Sequence, residues 1–292
     1  MSDMNEPVAP VAATTIVRLA ETPQEIEEAQ KIRYQVFYEE NNATPTPEIK
    51  RQKRDMDRYD AHADHLIVVD QSGPKEKVVG TYRLLTRAAA KKSGQFYSSG
   101  EYDLSVLIDS GSEILELGRS CVLPEFRSRP VLQLLWQGIA DYVVEHNIDM
   151  LFGCGSMSGT DPQALALPLS YLYHYHLAPE GIRAHALPDR YVNMNMMAKD
   201  DIVAKAAFAE LPPLIKGYLR TGATVGDGAV IDREFNTTDV FIAMPTTLIE
   251  KRYRKHYERK IQKTIPGGAP AETVEIDDET DIKPFVVIES RA

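Results

Sequence analysis

The chain has little cysteine and no long apolar segment. Its 292 residues contain two cysteines, Cys121 and Cys154, too few for a disulfide framework, which favours a reducing compartment. No apolar run approaches the roughly 18–20 residues that a membrane-spanning helix needs. The first residues, MSDMNEPVAPVAATT, lack both a basic start and a long apolar stretch, so no signal peptide is predicted. These absences favour a cytoplasmic protein.

A surplus of positive charge is also missing. The formal net charge is −10, whereas non-specific nucleic-acid binding needs excess lysine and arginine to displace counterions from phosphates. We therefore expect no nucleic-acid partner. The remaining composition, 43 % hydrophobic and 26 % charged, is typical of a globular protein. The length is sufficient for one large domain, or two modest ones, with a sizeable core.

Periodicity and turn signals predict an α+β order of elements. Thr22 and Pro23 are typical of a helix start, with a threonine N-cap and a proline at the first helical position, and the same logic predicts a helix opening at Asp161 and Pro162. Further helices are predicted at Pro130–Glu145 and Leu214–Arg220, and a glycine-rich turn at Val225–Gly228. The predicted strands are Ile16–Leu19, His65–Asp70, Val78–Thr86, Glu113–Leu123, Asp149–Cys154 and Asp239–Met244.

The segment Glu113–Ala140 combines a charged strand, a basic turn and a helix. A helix N-terminus presents free N–H groups and a partial positive charge, which suit a phosphate. Arg127 and Arg129 add formal charge at that point. The alternative is that both arginines are solvated loop residues.

Gly118 lies inside the charged strand, where glycine often marks a β-bulge. Strict alternation would send Glu116 and Arg119 to opposite faces, and one bulge residue at Gly118 would bring them to the same face. Since single buried charges are costly, we expect these two side chains to be paired. A structural ion pair is the alternative to a catalytic role.

Several strings resemble known acyltransferases. Strand ELGRSCV, the basic turn, the helix and strand DMLFGC resemble the core of the GNAT acyltransferases, and more closely the acyl-homoserine-lactone synthases. RYQVFYEE, with Arg33 and Phe37, DMDRYD and GTYRLLT resemble segments of those synthases. The strings from FGCGS to VFIAMP resemble the L-ornithine N-acyltransferase family of ornithine-lipid synthesis. The resemblance spans roughly residues 16–257.

The resemblance implies a GNAT-like fold, with a central mixed, mostly antiparallel sheet flanked by helices and a C-terminal extension. It implies transfer of a 3-hydroxyacyl group from acyl carrier protein to the α-amine of L-ornithine, giving lyso-ornithine lipid. The donor would be the acyl-phosphopantetheine of the carrier protein, with no bound cofactor. Alternatives are acylation of another amino acid such as lysine or glycine, homoserine-lactone synthesis, or a non-catalytic carrier- or membrane-binding module.

The resemblance also assigns roles to individual residues. It implies substrate-binding roles for Arg33, Phe37, Arg83 and the three aspartates Asp55, Asp57 and Asp60. A diammonium acceptor suits such carboxylates, although charged runs are more often solvated loops. In GNAT enzymes that use coenzyme A, a glycine-rich turn wraps the pyrophosphate, whereas the turn RSRPVL has no glycine. This difference favours a carrier-protein donor, whose single phosphate would meet Arg127 and Arg129.

Thioester aminolysis needs a base that deprotonates the attacking amine. We predict Glu116 for this role, because burial raises a carboxyl pKa towards a useful value, with Arg119 beside it at the catalytic centre. Backbone N–H groups near Gly118–Ser120 are the expected oxyanion donors. The two cysteines are expected to be small buried residues. His174 and His176, two apart in a predicted helix, would point apart, so no metal site is predicted.

The two ends of the chain differ from its body. Residues 1–13 are predicted to be a flexible leader and residues 14–247 the acyltransferase domain. Residues 248–263, LIEKRYRKHYERKIQK, predict a basic amphipathic helix that packs on the core and meets one polar partner, an anionic membrane surface or the acidic carrier protein. Residues 264–292 form an acidic tail, expected to be disordered. Peripheral contact with the inner face of the membrane is therefore an open alternative.

Overall fold

The computed structural model describes residues 14–127 and 129–248, together with Lys255, Glu258, Arg259 and Lys263. The side chains of Arg129 and Leu248 are not described. The predicted leader (residues 1–13), almost all of the predicted basic helix (248–263) and the predicted acidic tail (264–292) lie outside the described residues.

One sheet organises the described part of the chain. Its strands, in spatial order, are β1-β2-β3-β5-β6-β9-β8-β7-β4. Only the β5–β6 and β7–β8 pairs are parallel, so the sheet is mixed and mostly antiparallel, as predicted. The strand bounds are β1 Thr15–Leu19, β2 Asp64–Asp70, β3 Lys77–Thr86, β4 Tyr102–Asp103, β5 Ile114–Val122, β6 Met150–Ser158, β7 His185–Ala186, β8 Thr224–Asp232 and β9 Thr237–Pro245.

Helices connect and cover these strands. Thr22 caps α1 through a capping box with Glu25, as the sequence pattern predicts. A π-helical turn, Gln35–Glu40, continues α1, a distortion that is frequent at functional sites. The helix bounds are α1 Pro23–Tyr34, α2 Pro47–Gln52, α3 Arg87–Lys92, α4 Ser105–Ile108, α5 Arg129–Glu145, α6 Ala166–His176, α7 Ala204–Glu210 and α8 Pro213–Arg220.

The central strands are buried on both faces. Every residue of β3 from Val78 to Leu85 is buried, which requires cover on both sides of the sheet. Helix α5 packs closely through Gly138, where an added Cβ would lie 2.8 Å from side-chain atoms of Leu66 and Val17. Among the described residues, the structure contains no helix with the length and hydropathy of a membrane span.

Three predicted elements differ in the structure. Asp161 and Pro162 form a turn, in which Asp161 accepts a hydrogen bond from the Gln163 N–H, and α6 begins only at Ala166. The predicted glycine-rich turn at Val225–Gly228 lies inside β8 as an irregularity in its pairing with β9, because long-range pairing overrides local turn preference. Strand β6 continues beyond the predicted Asp149–Cys154 to Ser158.

Strands β5 and β6 separate part-way along their length. Their parallel pairing runs from Ile114 with Met150 to Glu116 with Phe152 and then stops. Beyond that point β6 pairs only with β9 and β5 only with β3. The divergence opens a cleft in the middle of the sheet.

Candidate active site

A cavity of about 350 Å³ occupies the cleft between β5 and β6. Strand β5 contributes Glu116–Ser120 to its wall, and alternate residues of β6 face it from the other side. The π-helical turn contributes Phe37. Aromatic and polar side chains complete the wall, among them Tyr82, Arg83, Tyr97, Ser98, Cys154, Ser156, Tyr218, Asp232, Phe235, Thr237 and Asp239.

A β-bulge in β5 shapes the cavity wall. Arg83 of β3 pairs with Gly118 and Thr81 pairs with Cys121, so Arg119 and Ser120 together face one residue of β3. The bulge is therefore at Arg119, which has a φ of 51°, and not at Gly118 as predicted. A positive φ is unusual for a residue other than glycine and often marks a functional site. Its consequence matches the prediction, since Glu116 and Arg119 both contribute to the cavity wall.

Glu116 is buried and firmly oriented. Its carboxylate accepts hydrogen bonds from the backbone N–H groups of Tyr97 and Ser98, both at 2.7 Å, and from the Ser98 hydroxyl. Burial raises the pKa of the Glu116 carboxyl above its usual value, and the hydrogen bonds from Ser98 and Tyr97 act in the opposite direction. A carboxylate offers about four acceptor positions. These three donors therefore leave about one acceptor position unused.

The prediction of an ion pair between Glu116 and Arg119 is wrong. The Arg119 guanidinium lies 3.2 Å from the Asp55 carboxylate and 3.5 Å from that of Asp57. It also stacks between the rings of Tyr97 and Phe235, each centroid 4.7 Å away. The two charges are separated because Glu116 turns towards backbone donors, while the acidic loop before β2 supplies the partners of Arg119.

Arg33 is completely buried beneath the site. It is 0 % exposed and its guanidinium contacts the carboxylates of Asp55 and Asp60, each at 2.8 Å. Burial alone would raise the pKa of Asp60, but Arg33 and Arg83 lower it well below its usual value. Arg33 lies outside the wall of the cavity. We therefore revise its predicted substrate contact to a supporting role.

Arg83 connects the buried charges to the cavity. It contacts Asp57 at 2.7 Å and Asp60 at 3.2 Å, and it lines the cavity itself. The three aspartates Asp55, Asp57 and Asp60 thus face arginines and do not line the cavity. The prediction that they meet the acceptor's ammonium directly is revised, because their charges are already compensated. They position Arg83 and Arg119 instead.

The predicted phosphate site lies where β5 leads into α5. Arg127 donates to the Val122 carbonyl oxygen at 3.0 Å and forms a two-pronged ion pair with Glu40. Its guanidinium is partly exposed, so an incoming phosphate would compete with the Glu40 carboxylate. The Arg129 side chain lies outside the described residues, and its predicted contact with phosphate stays a prediction.

A second set of carboxylates lies at the cavity: Asp232 and Asp239 contribute to its wall, and Glu101 adjoins them outside the wall. Oxygens of Glu101, Asp232 and Asp239 lie within 4.8 Å of one another. Burial raises the pKa of Glu101 to about 7 and that of Asp239 to about 6. Glu101 precedes β4, whereas the two aspartates belong to the hairpin of β8 and β9. We call these three residues the acidic group.

Comparisons with known proteins agree with this architecture. The acetyltransferase (GNAT) domain family matches residues 32–137. The L-ornithine N(alpha)-acyltransferase of Rhizobium meliloti is 47 % identical over 245 residues, which cover 82 % of this chain and 83 % of the relative. That of Rhodobacter capsulatus is 44 % identical over 250 residues, covering 84 % and 95 %. The chain belongs to the L-ornithine N(alpha)-acyltransferase family.

Solved structures of two other proteins resemble this family member. An N-acyl amino acid synthase from uncultured soil microbes has a TM-score of 0.45 at 11 % identity, covering 79 % of this chain and 90 % of its own. A CoA-dependent acyl-homoserine lactone synthase has a TM-score of 0.48 at 11 % identity, with coverages of 89 % and 95 %. The sequence matches confirm the predicted family, the GNAT-like fold and the prediction of an acyltransferase.

Sequence reasoning missed several side chains at the site of this acyltransferase. Tyr82 and Tyr218 line the cavity with their hydroxyl oxygens 2.7 Å apart, and Tyr97 stacks on Arg119. The acidic group was also missed. Asp239 gave a signal that could have found it, because it is a single acid directly before the apolar run VFIAMP, and a lone acid in an apolar strand needs a special environment.

The two cysteines are poor nucleophiles, because burial raises the pKa of Cys121 to about 12 and that of Cys154 well above its usual value.

Proposed function

We propose that the protein transfers a 3-hydroxyacyl group from acyl carrier protein to the α-amine of L-ornithine, forming lyso-ornithine lipid. The activity named for the relatives supports ornithine as the acceptor. The observation that carries the proposal is the cavity itself, in which Glu116, Arg119 and the diverging edge of β5 face one space. A base, a cation for a carboxylate and open strand backbone are the groups that this aminolysis needs.

The acyl-phosphopantetheine arm would lie in the cleft along β5. Over Gly118–Ser120 this strand has no pairing with β6, and the bulge interrupts its pairing with β3. Backbone N–H groups freed in this way can donate to the thioester oxygen as it becomes negatively charged. Gly118 leaves room for the arm, since a Cβ there would meet no atom within 4 Å. Phe37 offers apolar surface beside the arm.

Glu116 is the proposed base. The acceptor arrives as an ammonium, and one remaining acceptor position of Glu116 can take its proton directly or through a water molecule. The free amine then attacks the thioester carbon, the C–N bond forms and the C–S bond breaks. The leaving thiolate of the carrier takes up the second proton that the new amide nitrogen gives up, relayed by the Tyr82 and Tyr218 hydroxyls, and Glu116 releases the first proton to solvent. Arg83 and Arg119, which line the cavity, would donate hydrogen bonds to the acceptor's carboxylate while keeping their contacts with the aspartates.

The donor is proposed from the turn before α5. A single phosphate requires less wrapping than a pyrophosphate, and residues 127–132, RSRPVL, contain no glycine. Arg127 and Arg129 would bind that phosphate at the start of α5. The protein would act in the cytoplasm beside the carrier, with peripheral contact at an anionic membrane through residues 248–263 as a further proposal.

A donor comparison tests this function. Purified protein is supplied with L-ornithine and either a 3-hydroxyacyl carrier-protein thioester or the matching coenzyme A thioester, and products are measured by mass spectrometry. We expect acyl-ornithine, with a kcat/KM at least about 10-fold higher for the carrier protein, because its surface adds electrostatic complementarity. Equal values would remove the carrier-protein assignment, and no acyl-ornithine with either donor would overturn the function.

A further inference from the structure

The acidic group has more negative charge than its neighbours compensate. Arg190 lies 3.4 Å from Glu101, and it is the one arginine or lysine within ion-pair distance of the group in the described part of the chain. Asp232 accepts hydrogen bonds from the N–H groups of Glu234 and Phe235. Three carboxylates with one cation form a site for a further positive charge.

Asp239 gives an independent sign that a ligand binds here. The residue is 7 % exposed, and its Oδ1 has no hydrogen-bond partner among the described residues. It belongs to the wall of the cavity. A buried carboxylate oxygen without a partner is costly, so a donor brought by a ligand would be favourable there. The Thr237 and Ser156 hydroxyls lie beside this carboxylate and lower its pKa, although Thr237 makes no hydrogen bond of regular geometry.

We propose that Glu101, Asp232 and Asp239 bind the side-chain ammonium of the acceptor amino acid and so select a diamino acid. This inference rests on the proposed function and adds the residues that determine its acceptor. A primary ammonium has three donors, which match three carboxylates converging from separate elements. The role that sequence patterns suggested for Asp55, Asp57 and Asp60 thus belongs to a different set of acids.

The distances suit an amino acid of ornithine's length. The Ser98 hydroxyl donates to Glu116, and the Cys154 sulfur lies 3.4 Å from that hydroxyl oxygen and 3.3 Å from Glu101 Oε2. These contacts hold Glu116 Oε1 within about 9 Å of Glu101. The two nitrogens of an extended ornithine are about 6 Å apart. With each nitrogen at hydrogen-bond distance from its carboxylate, one ornithine molecule can bridge a separation of up to about 9 Å.

The test compares kcat/KM for two acceptors of equal shape, in the wild-type protein, in one variant and in a control variant. L-Norleucine carries a methyl group where L-ornithine carries its side-chain ammonium. We expect the wild-type protein to prefer ornithine by at least about 100-fold in kcat/KM, since a buried polar site rejects an apolar analogue. In Asp239→Asn, kcat/KM for ornithine should fall about 100-fold, while the value for norleucine changes little. Asp109→Asn, an exposed aspartate away from the cavity, is the matched control and should behave as wild type.

Distinct outcomes separate the two proposals. An equal loss with both acceptors in Asp239→Asn, or no loss with ornithine, would overturn the ammonium site while leaving the function intact. A wild-type protein that acylates no ornithine would overturn both. If Asp239→Asn does not fold, Asp232→Asn gives the same comparison. A divalent metal is the competing occupant: turnover that requires added Mg²⁺ or Mn²⁺ and is abolished by a chelator would also overturn the proposal.

Discussion

At the scale of single residues, a substitution of Glu116 gives the most direct test of the proposed base. Glu116→Gln keeps the shape but removes the proton acceptor, so kcat should fall about 10²–10⁴-fold at neutral pH. The variant should also lose about 1–3 kcal/mol of stability, because its amide nitrogen cannot accept from the Tyr97 or Ser98 N–H. Rates are therefore measured well below the melting temperature. Higher pH should restore part of the rate, since more of the amine is then already deprotonated.

Ser98→Ala is the matched control for that experiment. It removes the hydroxyl bond to Glu116 but leaves the carboxylate in place, so it should cost about 1 kcal/mol of stability and much less activity. If both variants lose activity equally, Glu116 serves only to hold the turn Tyr97–Gly100. A stable Gln variant with near-normal turnover would contradict the catalytic assignment directly.

At the scale of elements, two glycines on neighbouring strands should respond in opposite ways. Gly118 of β5 has open space around its Cα, whereas a Cβ at Gly153 of β6 would lie 2.3 Å from the Leu117 carbonyl oxygen. Gly118→Val should therefore fold normally, since β-branched residues suit strands, yet lose at least about 10-fold in activity because it fills the cleft. Gly153→Ala should lose about 1–3 kcal/mol or more. Urea unfolding and acylation rates on both variants check this pair, and a fully active Gly118→Val would exclude the arm from this path.

The elements also show what local sequence can predict. The start of α1, the β2–β3 hairpin and the strand–turn–helix from β5 to α5 follow from capping residues, alternation and periodicity, all of which act within about a dozen residues. Strands β4 and β7 were not predicted, because each has two residues and exists only through its neighbours. The position of the bulge at Arg119 was missed for a similar reason, since it is set by the register with β3.

At the scale of the whole molecule, the site joins residues that are far apart in sequence. Glu116 and Arg119 were predictable as site residues because they share one short strand. Glu101, Asp232 and Asp239 were not, because the pairings of β4 with β7 and of β7 with β8 bring them together. The three conspicuous aspartates near residue 55 were assigned to the substrate instead. Only tertiary structure shows that arginines from α1, β3 and β5 compensate them.

The acidic group leads to a prediction about how the stability of the whole protein depends on pH. Burial raises the pKa of Asp239 to about 6, above its value in the unfolded chain, so the folded state holds this proton over a range where the unfolded state has lost it. The contribution of Asp239 to stability therefore falls as the pH rises from about 4 to about 6. Buried His65 has a lowered pKa and acts in the opposite direction, so the wild-type profile alone does not isolate Asp239.

A variant comparison isolates it. Asp239→Asn removes this titration, so without acceptor it should become more stable relative to wild type as the pH rises from 4 to 8, by on the order of 2 kcal/mol. Added L-ornithine should reverse the order at pH 8, because its ammonium compensates the carboxylate of the wild type only. Urea unfolding at pH 4, 6 and 8, with and without ornithine, measures both effects, with Asp109→Asn as the control that should follow wild type throughout. A variant that is less stable than wild type by the same amount at every pH would show that Asp239 is a compensated structural residue, and that the acidic group holds no unpaired charge for a substrate to meet.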